Sequence, residues 1–520
     1  MNLLGWLARQ MVRRRLRQVA RALEDPVGTQ ERVLLDLVRR AANTEWGRSH
    51  GYAQIRSTAD FQRAVPLCRY EDMAPLWHRA FDGARDVAWP GHIGYFAQSS
   101  GTTAGTTKLL PVSRDAIRAN IRSGATLVGY CERMLPGAGL TGGKTLYFGG
   151  STVLKRRGAC WQGDASGIMS RHVPPFASRF RLPDPKVAGI ADWEEKVETI
   201  CHSYLDEPVR AVAGLPMWSF ILFRRLVDIA RERLGRDIAT VADVWPQMRA
   251  FIYFGMSIEP YRAQFAELFG SSIACVATYS SSEGGMNAVQ ADLADPSMEL
   301  MLDTGTFYEF VPAAELESPE PTRLTLAEVE LDKDYAILLS TPSGIWAYDV
   351  GDIVRFTSLR PPRIVFAGRT RLALNAFGEH LVQEHLDGAV AKACGEFGVA
   401  VRDFTVSVYF PSVVPPCGGH RWFLEFDGAP PPLGQFLNTL DEYLRGVNDD
   451  YAKYRENDYA ISPPRGIVLA RGTFYEWARR NGALGGQHKV PRVARSKEMV
   501  NELADISRSL GAKGGPPAAT

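Results

Sequence analysis

Apolar and polar positions along the chain fall into helical and strand-like periods that alternate. The spacing through Val33, Leu34, Leu37, Val38 and Ala41 predicts a helical segment over residues 1–45, stopped by Asn43, Thr44 and Gly47. Thr58 reads as the cap of a further helix, and residues 93–97 form a strand-like run. Ser113 is placed to cap a helix over 115–127. Strand and helix patterns then succeed one another: strand 144–148, strand 209–213, helix 217–234, strand 249–254, helix 261–269, strand 273–279. That order predicts an α/β fold, a parallel or mixed sheet covered by helices on its faces, with ligands gathering at the carboxyl ends of the strands. Further on, helices over 378–397 and 436–448 and strands over 404–410, 422–426 and 466–470 predict a separate small α+β unit. Residues 511–520 read as a disordered tail.

Composition narrows the class of partner. At 520 residues the chain exceeds one ordinary core and predicts two or more domains. Sixty basic and 58 acidic residues leave a formal charge of +2, so charge makes no case for nucleic acid. Most of the basic residues are Arg, which makes a Lys inside a polar loop worth notice. Cysteines at 68, 131, 160, 201, 275, 394 and 417 form no Cys-x-x-Cys pair, and the count is odd. This favours a reducing cytoplasm and no zinc site. His380 and His385 flank Glu384, but their spacing does not share a helix face, which argues against a metal there. The N-terminus places apolar residues before its arginines, the reverse of a secretory signal, and reads as a basic amphipathic helix packed on the protein. No apolar run is long enough to span a bilayer, so no integral membrane contact is expected.

Three stretches carry chemistry. The first, Gln98-Ser-Ser-Gly-Thr-Thr-Ala-Gly-Thr-Thr-Lys108, holds four threonines, two serines and two glycines and ends on a lysine. Small and hydroxyl residues let backbone N–H groups converge on an anion, and Lys108 adds a point charge for a β or γ phosphate. It is not a Walker A loop, because two threonines separate Gly105 from Lys108. The plainer alternative is an exposed linker, against which the flanking strand and helix patterns argue. The second, Tyr279-Ser-Ser-Ser-Glu283-Gly-Gly285, ends a strand in a polar turn. Glu283 suits a Mg²⁺ ion that bridges phosphates and Tyr279 suits stacking on a base; a solvated serine-rich turn is the alternative. In the third, Asp352 follows Gly351 at an expected strand start, where its carboxylate would accept two sugar hydroxyls; a hairpin turn over Asp349–Asp352 is the alternative. The strand that follows closes on Gly368 and Arg369, and Arg369 is placed for the same ribose or the phosphates. Arg118 and Arg122, one turn apart, are candidates to hold a substrate carboxylate, or else a solvated basic face. Met217 and Trp218 are candidate pocket walls.

In this order, Ser-Ser-Gly-Thr-Thr-Ala-Gly-Thr-Thr-Lys, Tyr-Ser-Ser-Ser-Glu, Tyr-Asp-Val-Gly-Asp and Phe-Ala-Gly-Arg resemble the signature of the adenylate-forming superfamily. Thr44-Glu-Trp-Gly-Arg-Ser-His-Gly51, Phe61-Gln-Arg-Ala-Val-Pro-Leu-Cys-Arg-Tyr-Glu71 and Gln487-His-Lys489-Val-Pro-Arg492 are similar to one branch, the Gretchen Hagen three family of acyl acid-amido synthetases. The resemblance covers about residues 30–500. It implies an N-terminal adenylate-forming domain over 1–368 and a small mobile C-terminal lid over 369–510, joined near Arg369. It implies ATP contacts from Ser99, Ser100, Gly101, Thr102, Thr103, Gly105, Tyr279, Ser282, Asp352 and Arg369, with Mg²⁺ on Glu283. It assigns Lys489 to the α phosphate during acyl-adenylate formation, where a positioned ammonium relieves crowded negative charge. The chain departs from the family near the hinge, where a lysine is common and either His380 or no residue takes its place, and at Asp349, where a basic residue is common.

The resulting expectation is a cytoplasmic, monomeric ligase that joins a carboxylic acid to an amine, such as an amino acid, and releases AMP and pyrophosphate. A thioester-forming ligase would share the N-terminal motifs. A kinase or other NTPase would release ADP, and a non-catalytic nucleotide-binding protein would have no use for Lys108, Glu283, Asp352 and Lys489 together.

Overall fold

The computed structural model describes residues 3–99, 108–150, 152–234, 237–255, 258, 262–270, 272–369, 373–374, 376–379, 381–410, 418–456, 460–481, 490–494 and 496–511. The described residues divide into two compact units, those before Thr370 and those after Arg371. None of their helices is long and apolar enough to cross a membrane.

The first unit opens on two helices, Leu3–Glu24 and Pro26–Ala41. Asp25 caps the second by accepting from Gly28 N at 3.0 Å, with Pro26 at its first position. Leu34, Leu37, Val38 and Ala41, spaced three and four apart, are the face it buries. Ser57 rather than Thr58 caps the helix Thr58–Ala64. Its backbone is extended, as a cap requires, and its hydroxyl accepts from Asp60 N at 3.2 Å, so Thr58 is the first helical residue.

Fifteen strands follow among the described residues: β1 Tyr95–Ser99, β2 Lys108–Val112, β3 Lys144–Phe148, β4 Lys155–Arg157, β5 Cys160–Asp164, β6 Arg181–Leu182, β7 Val209–Gly214, β8 Ala250–Tyr253, β9 Ala274–Ser281, β10 Gly285–Asp292, β11 Asp295–Leu300, β12 Phe307–Pro312, β13 Asp334–Thr341, β14 Ile345–Leu359 and β15 Pro362–Arg369. Eleven of them build one sheet in the order β12-β13-β14-β15-β11-β10-β9-β8-β7-β3-β6. From β6 to β9 the pairs are parallel, and from β9 to β12 they are antiparallel. Helices Pro216–Leu234 and Arg262–Phe269 alternate with the parallel strands. β7 is buried along almost its whole length, as a strand covered on both faces must be. The other four strands form a second sheet, β2-β1-β5-β4. β14 runs through Asp349–Asp352, so this stretch is the middle of a long strand, neither a strand start nor a hairpin turn.

The second unit holds β16 Ala373–Leu374, β17 Leu381–Val382, β18 Val401–Tyr409, β19 Gly418–Phe426 and β20 Ile461–Val468. β18 and β19 pair antiparallel, and β19 and β20 pair parallel. Helices Gln383–Phe397 and Leu433–Val447 belong to this unit. The expected helix over 378–397 starts five residues late. Gly378 has φ +92°, and the Glu379 carboxylate is taken by Phe377 N and His420, so the chain there is committed to tertiary bonds.

Candidate active site

The site is assembled at the carboxyl end of β9. The strand closes on Ser281, Ser282–Gly284 make the turn, and β10 returns antiparallel. Ser281 Oγ accepts from Gly284 N at 3.0 Å and holds the turn. A side chain at Gly284 would meet Asn287 Oδ1 and Leu339 Cδ1, both at 2.6 Å, and Gly285 takes φ +72°, a conformation that suits glycine. This leaves Ser282 and Glu283 half-buried on the turn.

Tyr279 is buried, and its hydroxyl donates to Asp352 Oδ2 at 2.9 Å. The two residues are 73 positions apart, and the bond joins the second motif to the third across the sheet. Asp352 is aimed by a local distortion of β14. Asp349 Oδ1 accepts from Gly351 N at 2.8 Å, and Gly351 takes φ +83°, a conformation that suits glycine. Asp349 therefore shapes the backbone at this position. Burial raises the pKa of its carboxyl, opposed by the Gly351 N–H and by the charges of Arg69 and Lys108. Across the ladder, Arg369 of β15 pairs in register with Asp352.

The hydroxyl-rich stretch leaves from β1 and re-enters at β2, whose ends Ser99 and Lys108 face each other in register. Lys108 is thus the first residue of a strand, not the last of a loop. Its Nζ lies 5.2 Å from the centre of the Tyr70 ring, and Tyr70 Oη accepts from Leu109 N at 3.0 Å. Cys68 N donates to Ala347 O at 3.0 Å and Cys68 O accepts from Asp349 N at 2.9 Å, which pins this segment along β14. Ser113 caps the helix Arg114–Met134, accepting from Asp115 N at 3.1 Å and Ala116 N at 3.0 Å. Its own hydroxyl donates to Pro342 O, tying the helix start to the β13–β14 turn.

Sequence reasoning missed Tyr348, Tyr70 and Arg69. Tyr348 Oη is buried and has no hydrogen-bond partner among the described residues. Burial raises the pKa of this phenol, and the Glu283 and Asp349 carboxylates push it further up. Its place as the first residue of the Tyr-Asp-Val-Gly-Asp motif was the available signal.

Other expected residues are not brought together. Arg118 is exposed and bridges Asp115 at 3.2 Å on its own helix. Arg122 is exposed as well, and its guanidinium donates to Thr304 O at 2.7 Å. The two guanidinia do not converge on one carboxylate. Trp218 is buried with its ring against Trp193, 4.5 Å between centres. Residues Ser100, Gly101, Thr102, Thr103, Gly105, His380 and Lys489 lie outside the described residues, as do the side chains of Ser99, Met217 and Arg369. The flank after Lys489 is described: Val406 N donates to Arg492 O and Ala494 N to Val406 O, both at 2.8 Å, along the edge of β18.

No group of three or more His, Cys, Asp or Glu among the described residues forms a metal cage. Mg²⁺ commonly takes one or two carboxylates and completes its shell with phosphate and water oxygens, and Glu283 is a hard oxygen donor of that kind on an accessible turn.

The N-terminal, central and C-terminal domain models of the GH3 family match residues 15–156, 299–369 and 384–498. The chain is 26% identical to the indole-3-acetic acid-amido synthetase GH3.3 of Arabidopsis thaliana, over 92% of this chain and 90% of that protein. It is 24% identical to the jasmonoyl–L-amino acid synthetase JAR4 of Nicotiana attenuata, over 89% and 90%. Among solved structures, the acyl acid amido synthetase AtGH3.15 in complex with 2,4-DB superposes with a TM-score of 0.59 at 20% identity, covering 94% of this chain and 95% of that one.

Proposed function

This chain belongs to the GH3 family, and from that premise we propose that it is an ATP-dependent acyl acid-amido synthetase. A carboxylate oxygen of the acid attacks the α phosphorus of ATP and pyrophosphate leaves. The nitrogen of an amine, such as an amino acid, then attacks the activated carbonyl carbon; the C–N bond forms, AMP leaves, and the amine proton passes to solvent. No covalent enzyme nucleophile is required, because adenylation supplies the leaving group.

The single observation that carries this reading is the Tyr279–Asp352 bond, which closes two distant motifs into one polar site near the carboxyl end of β9. Asp352 is assigned to the ribose hydroxyls and Tyr279 holds its carboxylate in place. Lys108, with Ser99, Ser100, Gly101, Thr102, Thr103 and Gly105, is assigned to the phosphates. Bound at Glu283, Mg²⁺ would supply neutralising charge to the triphosphate. Tyr348 offers a neutral phenol beside Glu283, fit to donate to an anion. Lys489, from the small unit acting as a lid, is assigned to the α phosphate, where it stabilises charge that crowds only in the transition state. We take the working protein to be a monomer and place it in the cytoplasm, a location supported by six described cysteines that are all free, four of them buried.

Incubating the protein with ATP, pooled acids and either pooled amino acids or coenzyme A tests the assignment. The expected products are AMP, pyrophosphate and a species heavier than the acid by one amino acid less water. Release of ADP, or a thioester without an amide, would overturn it.

A further inference from the structure

Arg181 is the first residue of β6, at the edge of the parallel half of the large sheet. It is half-buried, yet no carboxylate among the described residues pairs with it. Its guanidinium donates to Ser170 Oγ and the Ser170 carbonyl, and lies 5.1 Å from the centre of the Tyr147 ring. Burial draws its pKa down, opposed by Tyr147. A desolvated guanidinium with only neutral partners is a costly arrangement unless something anionic completes it.

Its neighbours show what would complete it. Tyr147 sits near the carboxyl end of β3 and Phe254 one residue past the end of β8. Their rings stack, with centres 6.1 Å apart and planes 15° apart, over the intervening β7, where the register places the small Ala213 beside Tyr147. Tyr147, Phe254, Ser170 and Arg181 all keep part of their surface open. Along the sheet, Tyr253 pairs with Ala277, and Thr278 Oγ1 donates to Tyr253 O at 3.1 Å, so Phe254 stands beside Thr278 at the carboxyl end of β9, on the sheet face opposite Tyr279. From β9 to β3 is three strand spacings, about 14 Å.

We propose that Arg181 is a receptor for a second anionic group on the acid substrate. The acid this chain activates is then an elongated aromatic dianion. Its reacting carboxylate lies toward the carboxyl end of β9, its ring against Phe254 and Tyr147, and its remote carboxylate, sulfonate or phosphate on Arg181. This deepens the amide-synthetase reading and rests on it for the direction in which the acid lies.

The test pairs 4-(4-carboxyphenyl)butanoate with 4-phenylbutanoate, which lacks only the remote charge. Calorimetry without ATP reads binding; ATP–pyrophosphate exchange reads activation. The wild-type protein is expected to bind and activate the diacid roughly tenfold to a hundredfold better than the monoacid. Arg181→Met should erase that preference through the diacid alone, raising its KM with the monoacid unchanged, while Arg181→Lys keeps part of it. Equal binding of the two acids by the wild type, or an equal loss for both in Arg181→Met, would overturn the inference. Selective diacid binding with no exchange for any acid would instead overturn the ligase reading and leave Arg181 as an anion receptor. Selective exchange of monoacids would overturn the Arg181 inference and leave the ligase reading in place.

Discussion

Single side chains divide here into those that hold a substrate and those that act only in the transition state. Asp352 is assigned to the first group, so Asp352→Ala should weaken ATP binding itself, on the order of tenfold or more for a lost pair of charge-assisted bonds. Titration with a fluorescent ATP analogue measures it, and an unchanged affinity would remove Asp352 from the ribose. Lys489 is assigned to the second. Lys489→Ala should lower acid-dependent pyrophosphate exchange on the order of a hundredfold while ATP affinity stays nearly constant. Exchange at the wild-type rate would dismiss it from the mechanism. Lys108, Glu283 and Asp352 were legible as residues because polar groups of these types cluster in short motifs bounded by strand patterns. Tyr70 and Arg181 were not, because an aromatic or basic residue in an ordinary strand or helix signals nothing until its neighbours are known. Arg118 and Arg122 show the converse: helical spacing placed them one turn apart, but separate partners, Asp115 and Thr304, draw them to different surroundings.

Elements were read best where their own period is strong. The strands over 144–148 and 209–213 and the helix over 217–234 appear within a residue or so of their expected bounds. β2 was missed because its five residues carry a lysine and a proline and lie on the shoulder of a polar stretch. The helix over 115–127 runs on to Met134, and its start is fixed by Ser113. That hydroxyl satisfies two orphan N–H groups and bonds Pro342 O. Ser113→Ala should therefore cost about 1–2 kcal/mol, at the upper end for a cap. Denaturant unfolding measures it; a loss under about 0.3 kcal/mol would show that the backbone there holds without the cap.

For the molecule as a whole, stability should depend on pH through the second unit. Glu379 and His420 are fully buried and bonded at 2.8 Å. Burial by itself would raise the Glu379 carboxyl, but the His420 bond and charge and the Phe377 N–H more than offset it and hold its pKa below the usual value. A depressed carboxylate contributes stability that is present above its unfolded pKa, near 4.3, and is lost as pH falls through the folded value. The second unit should lose protection below about pH 4, and Glu379→Ala should cost about 3 kcal/mol or more at neutral pH by stranding His420. Hydrogen exchange of β19 amides against pH measures both; flat protection down to pH 3 would contradict the first. Local chemistry along the chain was enough to establish the α/β class, the ordered motifs and the family, because turn residues, apolar periods and phosphate-binding composition are all short-range. What required the folded chain was convergence: Tyr279 on Asp352, Asp349 on Gly351, Arg181 on Tyr147, Glu379 on His420. Apart from Asp349, each partner is chosen by strand order and register over tens of residues, and no local pattern carries that distance.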